Sequence, residues 1–182
     1  YSSLDPRYTA GKAVEEPMLI YKSESDADKR QERVLEMMRE VGLDVQHVQR
    51  YPHEFSGGQR QRINVARALV LGPKIIVCDE PVSALDVSVQ AQVLNLFRHL
   101  QRDLGLTYLF ISHDLSVIKH ISDRVAIMYL GRVVELCPAR NVYANPLHPY
   151  TQGLLMSKPQ AMREQERLYV IPGIVPNLLD RP

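Results

Sequence analysis

Three short runs carry the residue types that could do chemistry together: Ser56, Gly57 and Gly58 in "FSGGQRQR", Asp79 and Glu80 in "IIVCDEP", and His113 in "ISHD". Ser56 followed three positions later by Gln59 reads as a capping box that starts a helix at Gly57. Gly57 and Gly58 are then a puzzle, because glycine is unfavourable by roughly 1 kcal/mol relative to alanine inside a helix. Free N–H groups at a helix N-terminus, with no side chains in front of them, form a ready site for phosphate. Taken alone, S-G-G fits a loop glycine pair ahead of an ordinary helix equally well. The neighbouring motifs favour the anion.

Asp79 and Glu80 close an apolar run, Ile75 to Cys78, and Pro81 stops it. Carboxylates at the carboxyl end of a buried strand lie where α/β sheets bind ligands. Asp79 can hold a magnesium ion directly or through water, and Glu80 can orient or deprotonate a water. A solvated acidic turn is the plainer alternative. His113 follows the next apolar strand, "TYLFIS", and so belongs at the same sheet edge. A histidine there is commonly a structural hydrogen-bonder, but beside two carboxylates it becomes a candidate for contacting a γ-phosphate. Asp86, in "SALD", is either part of the same ligand site or simply the N-cap of the helix that follows.

The elements that must position these residues are legible from periodicity. Val34, Met37, Met38 and Val41 recur at helical spacing between Asp26 and Val41, and Gly42 supplies the stop. A second helix is expected from Gly57 to about Leu71, ended by Gly72-Pro73. Lys74 to Asp79 reads as a strand covered on both faces, hence central in a parallel sheet. Val87 to Leu104 gives an amphipathic helix closed by Gly105, and "TYLFIS" is the next strand. A short helix over Leu115 to Ile121 precedes "RVAIMYL" and "RVVELC", a hairpin about Gly131. Beyond Cys137 the prolines predict short helices and turns. Alternating strands and helices argue for an α/β domain with a largely parallel sheet and a helical subdomain before it. The expected segments are 1–72, 73–136 and 137–182.

The chain has 182 residues, with 22 Lys plus Arg against 21 Asp plus Glu, so its net charge of +1 exerts no general pull on nucleic acid or anionic membrane. No apolar run approaches the roughly 20 residues that span a bilayer. Cys78 and Cys137 suit neither a disulfide framework nor a four-ligand metal site, which points to a reduced, cytosolic setting.

"FSGGQRQR", "IIVCDEP", "SALD" and "ISHD", in this order, resemble the signature, Walker B, D-loop and H-loop of ABC transporter nucleotide-binding subunits. "YSSLDPR" and "NPLHPYTQGLL" further resemble the ATPase subunits of bacterial oligopeptide and dipeptide importers. The resemblance implies a P-loop-NTPase-like ABC ATPase domain. It also implies ATP and Mg2+ as ligands, with Asp79 at the metal, Glu80 orienting the attacking water and His113 at the γ-phosphate. By reference pKa alone His113, near 6.5, is a better base than a carboxylate near 4.3. The family pattern ranks Glu80 first. Ser56, Gly57, Gly58 and Gln59, with Asp86, would contact nucleotide, the signature residues serving ATP held by a second subunit packed head to tail.

Departures from the pattern are informative. The only Gly-Lys pair, Gly11-Lys12, is followed by Ala13 and has Pro6 where the first glycine of a P-loop should stand. Walker A and the Q-loop are therefore expected to lie before Tyr1, and the signature begins with Phe55 in place of the usual leucine. The expected partners are a second ATP-binding subunit, identical or paralogous, and transmembrane permease subunits at the cytoplasmic face of the inner membrane. Two alternatives stay open: a soluble ABC ATPase outside transport, and a non-catalytic dimerisation or docking fragment.

Overall fold

A computed structural model describes residues 4–157 of the chain. The chain divides into two compact units, one ending at His113 and the other beginning at Asp114.

The first unit opens with three helices packed on one another: α1 (Ala10–Tyr21), α2 (Ala27–Glu40) and α3 (Gly57–Leu69). The periodicity of α2 holds, with Val34, Met37, Met38 and Val41 at 3% exposure or less. Sequence periodicity did not single out α1, which carries Pro17 in its interior. A proline there removes one backbone donor from the helix ladder. Packing replaces what the ladder loses: Ala10, Ala13, Val14 and Met18 are buried, and Thr9 caps the start. Charge ties the trio together as well. Arg30 of α2 pairs with Glu15 at 2.8 Å, and Arg67 of α3 with Glu16 at 2.5 Å. Arg62 donates to the Val41 carbonyl at 2.6 Å, satisfying an acceptor at the open end of α2.

After α3 come β1 (Ile75–Asp79), α4 (Val87–Leu104) and β2 (Thr107–Ile111), with β1 and β2 parallel in register from Ile75–Thr107 to Asp79–Ile111. This is the predicted strand–helix–strand unit. Helix α4 covers one sheet face: Phe97, 1% exposed, meets Tyr108 and Phe110 edge-on at centroid distances of 5.3 and 5.7 Å. The expectation that β1 is covered on both faces is corrected. Ile75 and Val77 are 64% and 61% exposed, and Leu109 and Ile111 beside them on β2 are exposed too. An apolar run tells that both faces of a strand are fit for burial; it does not say that this chain alone buries them.

The second unit starts with α5 (Leu115–Ile121) and continues as the antiparallel pair β3 (Arg124–Tyr129) and β4 (Arg132–Pro138). Leu130 and Gly131, both at positive φ, make the two-residue turn. A bulge at Ile127/Met128 shifts the register. The largely parallel sheet is thus realised, among the described residues, only as β1–β2. Two short helices, α6 (Ala139–Ala144) and α7 (Pro149–Met156), follow, as the proline pattern predicted. Glu135 of β4 ties down the turn before α7. The Thr151 hydroxyl and the His148 and Leu147 amides hold its carboxyl below the usual carboxylate range. The part of the proline-rich tail beyond residue 157 lies outside the described residues.

Candidate functional site

The carboxyl end of β1 brings three of the predicted residues together. Asp79 is the last residue of β1 and is exposed; Glu80 follows it, and His113 follows β2 by two residues. Glu80 Oε1 accepts the His113 backbone N–H at 3.1 Å and lies 2.8 Å from His113 Nδ1. The parallel register explains the meeting, since Asp79 is paired with Ile111 and the chain leaves both strands at one edge. The Glu80 N–H extends that register by donating to the Ile111 carbonyl at 3.0 Å. Glu80 Oε2 is buried and has no hydrogen-bond partner among the described residues.

The signature run forms the expected cap. Ser56 accepts the Gln59 N–H through Oγ at 3.3 Å, and Gln59 Oε1 takes the Ser56 N–H at 3.0 Å, completing the capping box. Phe55 is an apolar anchor, 3% exposed with its ring edge-on to His47, and Arg60 grips its carbonyl at 2.6 Å. The glycine pair has a cause that the sequence did not show. A Cβ added at Gly58 would stand 2.4 Å from Val89 Cγ1, and one at Gly57 would stand 3.1 Å from Leu85 Cδ2. Helix α3 therefore begins tight against the "SALD" loop and the first turn of α4. Glycine is needed for packing at Gly58, whatever ligand its amide meets.

Asp86 acts as the N-cap of α4, accepting the Ser88 and Val89 amides at 3.1 and 3.0 Å and the Ser88 hydroxyl at 2.9 Å. The Val89 amide and the Ser88 hydroxyl hold its carboxyl below the usual range. Gly11 lies inside α1, where a Cβ would meet Val48 Cγ2 at 2.4 Å, so the Gly11-Lys12 pair is part of a packed helix and forms no phosphate loop. A cleft of about 680 Å3 runs between α3 and the end of β1, lined by Gly57, Arg60, Asn64, Asp79, Glu80 and Leu85 among others.

Two features escaped sequence reasoning. Glu80 has φ +47°, in the left-handed region, and the Ser83 hydroxyl donates to its carbonyl at 3.0 Å. A serine three positions after the glutamate is the available signal, since Ser hydroxyls often reach back to the i−3 carbonyl.

For magnesium, the donor set fits. Among the described residues no three His, Cys, Asp or Glu side chains converge on one point. Mg2+ is commonly held by one or two carboxylates, with water and substrate phosphates completing its six oxygens. Asp79 alone, exposed at a strand end, suits that role.

The fold that carries this Asp-Glu-Pro turn, His113 and the capped glycine helix matches that of solved ABC-type ATP-binding cassettes. A family model described as "ABC transporter" matches residues 1–83, and one described as "Oligopeptide/dipeptide transporter, C-terminal region" matches residues 134–182. The chain thus carries an ABC transporter match and an oligopeptide/dipeptide transporter C-terminal match, and the relatives it resembles are ATP-binding proteins of peptide transporters. It is 54% identical over 167 residues to the oligopeptide transport ATP-binding protein OppF of Bacillus subtilis, covering 92% of this chain and 55% of that protein. It is 53% identical to the dipeptide transport ATP-binding protein DppF of Escherichia coli, over 100% of this chain and 54% of that protein. Among solved structures, the ATP-binding cassette MJ0796, a dimer bound to ADP and Pi, superposes with a TM-score of 0.65 at 30% identity. That alignment covers 77% of this chain and 61% of the other. The chain spans about half the length of the curated relatives it matches.

Proposed function

We propose that this chain is part of the ATP-hydrolysing subunit of a bacterial importer of oligopeptides or dipeptides. The observation that carries the reading is the Glu80–His113 pair at the carboxyl end of β1, with Asp79 beside it. Phosphoryl transfer to water has a loose transition state, so it needs positioning and charge neutralisation more than a strong base. Glu80 orients the attacking water through its buried Oε2, and His113 contacts the γ-phosphate. Asp79 would hold a magnesium ion, which would supply neutralisation of charge on the phosphate oxygens. Ser56, Gly57, Gly58 and Gln59 present first-turn amides to ATP held by a second subunit, identical or paralogous, and Asp86 adjoins that interface. Closure of the head-to-tail dimer on ATP supplies the work that drives the permease subunits. The relatives' names as oligopeptide and dipeptide transport ATP-binding proteins support the cargo class.

No helix among the described residues is long and apolar enough to cross a membrane. The subunit sits peripherally, at the cytoplasmic face of the cell membrane, against its permease. The test is Glu80→Gln in the ATP-binding subunit that carries this sequence, reconstituted with its permease. Turnover should be nearly abolished while ATP-bound dimers accumulate. Wild-type turnover in that variant removes Glu80 from its role, and failure to co-purify with membrane subunits points to an ABC ATPase outside transport.

A further inference from the structure

The main chain at Glu80 lies where glutamate rarely goes. At φ +47° a Cβ crowds the following carbonyl, so residues other than glycine, asparagine and aspartate seldom adopt it. Such a conformation persists only where its surroundings over-determine it, and it clusters at functional sites. Three hydrogen bonds hold it here. The Glu80 N–H donates to the Ile111 carbonyl at 3.0 Å, and the Glu80 carbonyl accepts both the Ser83 N–H at 3.3 Å and the Ser83 hydroxyl at 3.0 Å. Of these, the hydroxyl is the contribution made by a side chain, and so the one a substitution can remove without touching the backbone.

We infer that Ser83 is a positioning residue for Glu80. By clasping the Glu80 carbonyl through amide and hydroxyl together, it keeps the residue left-handed, and this conformation aims the carboxylate at His113 N–H and Nδ1. Relaxation of φ to negative values would swing Cβ to the other side of the chain and carry Oε1 away from both. The bland reading is that the hydroxyl merely closes the turn from Glu80 to Ser83. Ser83 is exposed, so on that reading its loss changes little anywhere. The positioning role rests on the proposal that Glu80 orients water, and the two can fail separately.

The experiment compares Ser83→Ala, Ser83→Thr, Glu80→Gln and the double variant Glu80→Gln/Ser83→Ala in steady-state ATP hydrolysis by the subunit carrying this sequence, with Tm measured alongside. Ser83→Ala should lower kcat about five- to tenfold, the rate equivalent of one net hydrogen bond of about 1 to 1.4 kcal/mol. KM for ATP and Tm should stay near wild type, and Ser83→Thr, which keeps the hydroxyl, should restore the rate. In the Glu80→Gln background Ser83→Ala should lower the residual rate no further, because its effect passes through Glu80. An unchanged kcat in Ser83→Ala, a loss that threonine does not rescue, or an equal loss in the Glu80→Gln background overturns the inference. Full turnover by Glu80→Gln overturns the reading of Glu80 itself.

Discussion

Gly58→Ala is the most direct probe of why the signature run contains glycine. The added Cβ would lie 2.4 Å from Val89 Cγ1, more than 1 Å inside the roughly 3.5 Å at which carbon atoms attract best. Valine cannot easily turn aside, since in a helix its χ1 strongly prefers one rotamer. Overpacking of this kind costs about 1–3 kcal/mol, offset by up to about 1 kcal/mol of helix propensity gained on leaving glycine. Val89→Ala removes the offending methyl; the next contact, with Val89 Cβ, stands at an ordinary 3.8 Å. That variant alone should cost about 1 kcal/mol, because Val89 is only partly buried. In its background Gly58→Ala should be neutral or slightly stabilising, leaving a coupling of about 2 kcal/mol between the two sites. Urea unfolding of the four chains by circular dichroism reads this out, since about 2 kcal/mol moves a midpoint by roughly 1 M at ordinary m-values. Additivity within about 0.5 kcal/mol would falsify the steric argument. A second measurement separates packing from ligand contact. If the double variant folds normally yet its intact subunit fails to close on ATP, Gly58 has a task at the nucleotide beyond fitting under Val89.

The buried thiol of Cys78, pushed up to about 12 by desolvation, should resist a thiol reagent at pH 8 in the folded chain and react on unfolding, as counted by the rapid and slow phases of labelling. Phe97→Ala should destabilise the first unit by about 3–5 kcal/mol in urea unfolding, because the ring fills the contact with both Tyr108 and Phe110. Glu135 has its folded pKa depressed by Thr151 and the His148 and Leu147 amides. Its contribution is therefore present above the ordinary carboxylate pKa and lost as pH falls through the lower folded value. Amide shifts of Leu147 and His148, followed by NMR from pH 7 downward, should titrate below the ordinary range. Asp86→Ala should fray the first turn of α4, seen as faster hydrogen exchange at Ser88 and Val89.

The helices were legible where one apolar stripe faces one core, as in Val34, Met37, Met38 and Val41, because 3.6-residue spacing is imposed by the very face that is buried. Helix α1 was not, since Pro17 breaks the local pattern and only cross-helix packing and the Glu15 and Glu16 ion pairs declare it. The edge that gathers Asp79, Glu80 and His113 could be inferred from strand ends alone, because parallel pairing puts consecutive carboxyl ends side by side. Left-handed φ at Glu80 could not. It depends on what Ser83 and Ile111 hydrogen-bond to, and pair geometry of that kind leaves no periodic trace.

The glycine pair shows how two explanations for one feature must be separated. A sequence reader sees two residues poorly suited to a helix and looks for a ligand that requires bare amides. The structure supplies a cause within the chain for Gly58, where Val89 leaves no room for a Cβ, while at Gly57 the fit against the Leu85 side chain is tight but would need only a small shift. Packing accounts for the missing side chain at Gly58, and the capping box accounts for Ser56 and Gln59. The proposed anion-binding role of this helix start therefore draws no support from Gly58. The proposal rests on the dipole and on the amides of the first turn, both of which an alanine variant with a trimmed Val89 would retain. The same close approach also joins the start of α3 mechanically to the loop that carries Ser83 and Asp86.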